Sequence, residues 1–532
     1  MDWLKKNEGH PEHPMRNPAA AAKLLAELRN ADPLAALKDL TAWLDAVKAL
    51  PGSDEKIRNE LLSLIEEASY PHLAVLLAQY FGKPAAEKLA ERETTWHPLD
   101  NYLVALAGAL CKSSAHLLKE ASAHASLQLP AAADAARALR ACRLLLKFHL
   151  ARYLNVPPNL WHMAYAVHRM AEAARCAAMP VRLHAAQKSA TSVNHELVRL
   201  MMLQVSSPDM MTPGQIEVAD WVIEQLGESF TLRPPGLADN PFCFDPAGDS
   251  PPRRAAGPQQ GAEAGLRYFG TGLAYDALER MHKELATTGS AEIGTFGKKL
   301  DPHLQLSAIQ HLVAFWSATP PYQPPPRSPA TGKLQVTHGY ARTWQHLSHA
   351  RSAKAELTLA EDGDVPDQAP ESWTLQDTGG AELGVAIPHQ SGESVDCGDV
   401  VGVSAGASNG WWLGLVRSLH AEPGLGLHAN IFIMSREPRA MQLRAVIAKG
   451  EENAFTEKSA RQFAFNSIRA IILADGSTPA QTPNLLLTPE SWKEGRVFEA
   501  TADGTSRYLR AGRVLRHGDD YLRATFEWVP QP

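Results

Sequence analysis

Thr319 to Thr331 reads TPPYQPPPRSPAT, six prolines in thirteen residues, and the chain changes character across it. Proline has no N–H to give to a helix or a sheet ladder, so this run predicts an extended, polyproline II spacer. Upstream the apolar periodicity is helical. Downstream, short runs rich in Val, Ile and Leu alternate with turn residues, as strands do. The fold class read from this change is an all-α N-terminal half followed by an all-β C-terminal half.

In the helical half, Asn17-Pro18, Asp32-Pro33 and Thr212-Pro213 each set a capping side chain before a proline at the first helical position, where the missing N–H costs nothing. Further starts are expected near Ser53, Leu99, Pro130, Asn159 and Ser192, giving seven or eight helices. Leu37, Leu40, Leu44 and Val47 fall at i, i+3, i+7 and i+10, one stripe to bury. No fixed repeat period appears, so a bundle and an irregular helical array both remain open. Pro246 to Ala262 (PAGDSPPRRAAGPQQGA) is a second break, expected to hold no regular structure, and Leu273 to Leu285 and Leu304 to Trp316 read as two helices between the breaks.

In the β half, Asp399–Val403, Trp412–Arg417 and Leu427–Ile433 form one set of strands. Gln442–Ile447, Ile468–Leu473, Asn484–Leu487, Arg496–Thr501, Arg513–Arg516 and Tyr521–Trp528 form another. Each set is long enough for one small barrel or sandwich. The expected domains are a helical bundle or array over 1–235, a linker region with two helices over 236–331, a β-barrel over 332–435 and a second β-rich domain over 436–532, consistent with 532 residues being too many for one core.

No run of about 18 uncharged apolar residues occurs, and the start MDWLKKNEGHPEHP lacks an apolar segment; neither a membrane span nor a signal peptide is expected. Five scattered cysteines without a CxxC pair predict neither a disulfide framework nor a zinc site, and fit a cytoplasmic protein. The net charge of −6 argues against nonspecific nucleic-acid binding. Between Asp134 and Leu200, however, ten basic residues face three acidic ones. Arg140, Arg143 and Lys147 there share one helix face, expected either to pair internally or to meet an acidic protein.

Catalytic motifs are absent. There is no GxSxG, Walker A, HExxH or EF-hand loop, and Gly270-Thr271-Gly272 has Tyr275 where a dinucleotide fingerprint needs its third glycine. His149, His162, His168, His184 and His195 lack metal-ligand spacing and read as surface or capping residues. No catalytic residue, no metal site and no cofactor is expected.

One order of parts carries a resemblance. A polar turn at Gln376-Asp377-Thr378-Gly379-Gly380-Ala381 is followed by strand Leu383–Ile387, by Cys397-Gly398-Asp399-Val400-Val401, by Trp412-Leu413-Gly414-Leu415-Val416-Arg417, and by a closing strand into Ile431-Phe432-Ile433. Trp373 to Met434 thus resembles a PilZ domain, the small β-barrel with which many bacteria sense cyclic di-GMP. The resemblance covers about 60 residues, or nearer 100 if the barrel starts at Leu334.

In that family a [DN]xSxxG turn and an upstream RxxxR segment hold the nucleotide, the turn through short polar side chains and the arginines through forked donors. Here Gln376, Thr378 and Ala381 stand for the turn's Asp or Asn, Ser and Gly; a frame shifted to Asp377 puts Gly379 and Glu382 at the last two places. No RxxxR precedes the barrel. The resemblance implies Arg327, Arg342, Arg351, Gln376, Thr378 and Arg417 as ligand-binding residues, with cyclic di-GMP as the ligand and binding expected to be weak or absent. The function read from the whole is a non-enzymatic regulatory receptor or adaptor in bacterial cyclic di-GMP signalling, its helical half engaging a protein partner. The alternative is a structural scaffold that binds no nucleotide.

Overall fold

The computed structural model describes residues 17–48, 55–81, 89–184, 189–234, 240–255, 265–288, 301–319, 321–322, 325–352, 369–388, 395–406, 410–422, 426–446, 467–473, 482–502 and 505–531. The chain divides into two compact units, Met1–Tyr322 and Gln323–Pro532.

Eight α-helices lead the first unit among the described residues: α1 Pro18–Glu27, α2 Pro33–Lys48, α3 Glu55–Phe81, α4 Leu89–Ala121, α5 Gln128–Leu150, α6 Leu160–Ala173, α7 Val193–Val205 and α8 Pro213–Leu226. Their starts follow the capping chemistry. Asn17 accepts from the Ala19 N–H, Asp32 from that of Ala35, and Thr212 and Gln215 form a reciprocal capping box. The stripe Leu37, Leu40, Leu44 and Val47 on α2 is fully buried. Leu99 is not a start. It lies inside α4, which passes through Pro98 because Trp96, Leu99, Tyr102 and Leu103 all sit in the core, and that burial outweighs the backbone bond the proline removes. Helix α3 is long and apolar enough to cross a membrane by composition, yet Leu61, Leu62, Ile65, Leu73 and Leu76 join the same core.

A four-stranded antiparallel sheet of order β1-β4-β2-β3 follows, with β1 Thr231–Leu232, β2 Phe242–Phe244, β3 Arg253–Arg254 and β4 Arg267–Gly270. Strand β3 lies within Pro246 to Ala262, where no regular structure was expected; pairing of Phe242 with Arg254 and Cys243 with Arg253 satisfies the local backbone, while residues 256–262 lie outside the described residues. Helices α9 Ala274–Thr288 and α10 Pro302–Trp316 complete the unit. Phe242, Phe244, Phe269, Leu278, Ile309, Leu312 and Trp316 share one core with the eight leading helices.

The second unit holds two closed six-stranded antiparallel barrels. The first has order β10-β7-β6-β5-β8-β9 and the second β11-β12-β13-β16-β15-β14. The first comprises β5 Ser328–His338, β6 Glu371–Gly379, β7 Glu382–Ile387, β8 Val400–Ser404, β9 Trp412–Glu422 and β10 Gly426–Ser435; the second comprises β11 Arg439–Ala445, β12 Ile468–Leu473, β13 Asn484–Leu487, β14 Val497–Ala502, β15 Thr505–His517 and β16 Leu522–Val529. Strand β5 begins inside the proline-rich run, at Ser328, so the end of that run is barrel rather than spacer. Pro329 is tolerated there beside a break in the β5–β6 register, between Pro329 and Gly332.

Helix α11 Tyr340–Ser352 lies in the seam between the barrels. Its Tyr340, Trp344 and Leu347 pack with Val400, Leu413 and Leu415 of one barrel and with Ala440, Ile471, Leu486 and Tyr521 of the other. The Trp344 indole N–H points at the carbonyls of Met441 (3.2 Å) and Ala470 (3.1 Å). The Tyr340 hydroxyl donates toward the Arg469 carbonyl at 2.6 Å, and its backbone N–H donates to Asp520 Oδ2 at 2.6 Å.

Candidate functional site

Irregularities of the first barrel cluster around the β6–β7 hairpin. The connection is the two residues Gly380-Ala381, with Gly380 at φ 59°, the positive φ that a tight hairpin needs. The polar stretch Gln376–Gly379 is therefore strand, and the turn is shorter than the sequence suggested. Leu375 pairs with Val385, but Asp377 pairs with Gly384. Gln376 is the extra residue of a β-bulge, and because side chains alternate along β7, the bulge moves Asp377 onto the face opposite to that of Val385. Glu382, two residues before Gly384, shares that face. A Cβ on Gly384 would collide with the Asp377 carboxylate, so glycine leaves room for it.

Strand β9 carries a second bulge. Asn430 pairs with Ser418 and Ile431 with Val416, so Arg417 is the extra residue of that bulge. Its guanidinium lies 4.5 Å from the Phe432 ring centre, and Phe432 is directly opposite Glu382. Arg327, just before β5, arrives over the hairpin; a Cβ on Gly379 would stand 2.8 Å from the Pro326 carbonyl.

The two arginines meet on one carboxylate. Arg327 donates to Asp377 Oδ1 at 2.5 Å and to Glu382 Oε2 at 2.8 Å, while Arg417 donates to Glu382 Oε1. The Glu382 side chain is 3% exposed, against 23% for Arg327 and 26% for Arg417. Two positive and two negative charges thus balance, on the hairpin face opposite to that of Val385. Carboxylate and phosphate are interchangeable partners for guanidinium forks.

Of the residues expected in the site, Arg327 and Arg417 come together. Gln376 is the half-buried bulge residue and Thr378 pairs with Ser328 and Leu383 within the hairpin. Arg342 sits on α11, the helix packed on β5, β8, β11 and β12, and the Arg351 side chain lies outside the described residues. Asp377 and Glu382 were not among the expected binding residues; the frame starting at Asp377 was the one signal that could have found them.

The basic face of the first unit is paired internally. Glu217, Asp220 and Glu224 on α8 repeat the i, i+3, i+7 spacing of Arg140, Arg143 and Lys147 on α5, running the opposite way. Arg143 reaches Asp220 (2.7 Å) and Glu224 (3.2 Å), and Lys147 reaches Asp220 (2.8 Å) and Glu217 (2.7 Å). Burial alone would push Arg143 and Lys147 down, but the Asp220 carboxylate beside them raises both well above their ordinary values; burial would raise Asp220, and Arg143 and Lys147 hold it below the carboxylate range instead. His168 and His184 are buried rather than on the surface, His168 bonded to Asn194 at 2.8 Å and His184 3.3 Å from Glu66. Among the described residues no three His, Cys, Asp or Glu side chains come together to hold a metal.

Residues 19–236, covering the eight leading helices, match the family model described as cyclic-di-GMP receptor FimW, N-terminal domain. The likeness is to the PilZ-like family of cyclic di-GMP signalling. That match falls on the helical half and the motif resemblance on the first barrel, so two separate parts of the chain point to one signalling family, whose model is described as a receptor. No curated protein and no solved structure matches the chain.

Proposed function

We propose that the chain is a non-enzymatic, cytoplasmic regulatory receptor in cyclic di-GMP signalling. Its first barrel takes a phosphate of the nucleotide on Arg327 and Arg417, with Gln376 and Thr378 reading the nucleotide beside them, and its helical half passes the state to a protein partner. No cofactor takes part. The observation that carries this reading is the convergence of Arg327, just before β5, and Arg417, at the β9 bulge, on Glu382 of the β6–β7 hairpin.

The scaffold alternative has one observation in its favour. Both guanidinium forks already hold carboxylates, and Gln376 replaces the charged turn residue of the family. Weak binding follows if both are true, in the range of micromolar or above, because each tenfold loss corresponds to only about 1.4 kcal/mol. Titration calorimetry of the full chain with cyclic di-GMP, with cyclic di-AMP as control, tests the reading. Saturable heat with cyclic di-GMP, lost in Arg417→Ala, supports it; no heat at millimolar nucleotide leaves the scaffold.

A further inference from the structure

Resting on the nucleotide reading of the same site, we propose that Glu382 is an internal competitor for the ligand phosphate and sets the affinity of the site. Glu382 presents one oxygen to Arg327 and the other to Arg417. That is the bidentate bridging position a phosphodiester would take, since both anions offer two oxygens to forked donors. Asp377 differs, because it holds only Arg327 among its described ion pairs and is 26% exposed. Glu382 is nearly out of water at 3% and bonds both guanidinium groups, so attraction between them is weakly screened by solvent. A phosphate entering here must displace a buried carboxylate, or bind beside it against its repulsion. With Glu382 neutral and Asp377 unchanged, the cluster of Arg327, Arg417, Asp377 and residue 382 carries one net positive charge instead of none. The family's position with a glycine in the shifted frame is thus filled by a residue that occupies the arginines itself.

Glu382→Gln keeps the size and one acceptor while removing the charge. Full-length wild type and E382Q are titrated with cyclic di-GMP by calorimetry, and folding is checked by thermal unfolding. E382Q binds about tenfold tighter than wild type, the step from a charge-assisted competitor to a neutral one, and Arg417→Ala placed in E382Q abolishes the gain. Equal affinities in two folded proteins overturn the competitor and leave the nucleotide reading standing. Weaker binding by folded E382Q also overturns it, since Glu382 would then be a ligand contact. Absence of heat from both folded proteins sinks the nucleotide reading, and the competitor with it. Should E382Q fail to fold, Glu382→Ser is judged by the same affinities.

Discussion

Arg143 Nη1 stands 2.7 Å from Asp220 Oδ1, with the two side chains only 2% and 8% exposed. Removing one partner of a buried pair leaves the other charge desolvated and uncompensated, which costs about 3–5 kcal/mol. Asp220→Ala is therefore expected to destabilise the first unit toward the lower end of that range in urea unfolding, because Arg143 and Lys147 lose their shared anion and keep only Glu224 and Glu217. Arg140→Ala, by contrast, breaks a contact at 4.0 Å to a Glu224 that is 36% exposed and should cost under about 1 kcal/mol. Similar losses for the two variants would contradict the network.

Acid separates the two units. In the first, Asp220 and Glu224 are lowered despite burial by Arg143 and its neighbours, and His168 and His195 are lowered by burial. Groups with depressed folded values stabilise above their unfolded pKa, and that stability is lost as pH falls, from about 6.5 for the histidines and about 4 for the carboxylates. In the second unit Asp399 is raised well above its ordinary value by burial and by Asp396 and Asp520, and Asp519 and Asp520 are raised by burial. Raised carboxylates favour folding at low pH and lose that contribution as pH rises through their folded values. On acidification from pH 7 the second unit should gain stability, as its raised carboxyls take up protons, while the first loses some. Unfolding followed by scanning calorimetry at several pH values would show two transitions moving in opposite directions.

Asp399→Asn removes the charge that burial disfavours and keeps the acceptor that takes the Asp396 N–H at 2.8 Å. At pH 7 the second unit should melt a few degrees higher, for a gain of about 1 kcal/mol. No change, or a fall, would show that the carboxylate is stabilised by something other than its protonation.

Tyr340→Phe keeps the ring in the seam and deletes the hydroxyl that bonds the Arg469 and Leu486 carbonyls. Leaving buried acceptors unmet costs about 1–3 kcal/mol. Trp344→Ala should cost more, about 3–5 kcal/mol, since it also empties the space between the barrels. Urea unfolding of the second unit gives both values; a Trp344→Ala loss below that of Tyr340→Phe would deny α11 its place as the seal between barrels.

The order of strands was legible because alternation and turn residues are local. Ile468–Leu473 and Asn484–Leu487 form strands with the bounds read from sequence, and β15 was merely longer, Thr505–His517. The site was only half legible. Arg327 and Arg417 are 90 positions apart, and their meeting depends on barrel closure. The bulges at Gln376 and Arg417 decide which face each neighbour takes, and a bulge leaves no mark in the pattern when the extra residue is an ordinary polar one.

By itself the sequence determined the helical front, the β-rich back and the place where one gives way to the other, since caps, prolines and apolar periods act through neighbours in the chain. It also supplied the basic row of α5 at helical spacing, while the matching acidic row of α8 was recognised only in the fold. Only the tertiary structure decided that those rows face one another in the core rather than a partner, and that Glu382 fills the forks of two distant arginines. Charge pairing is set by which surfaces packing brings within about 4 Å, and local periodicity carries no information about that.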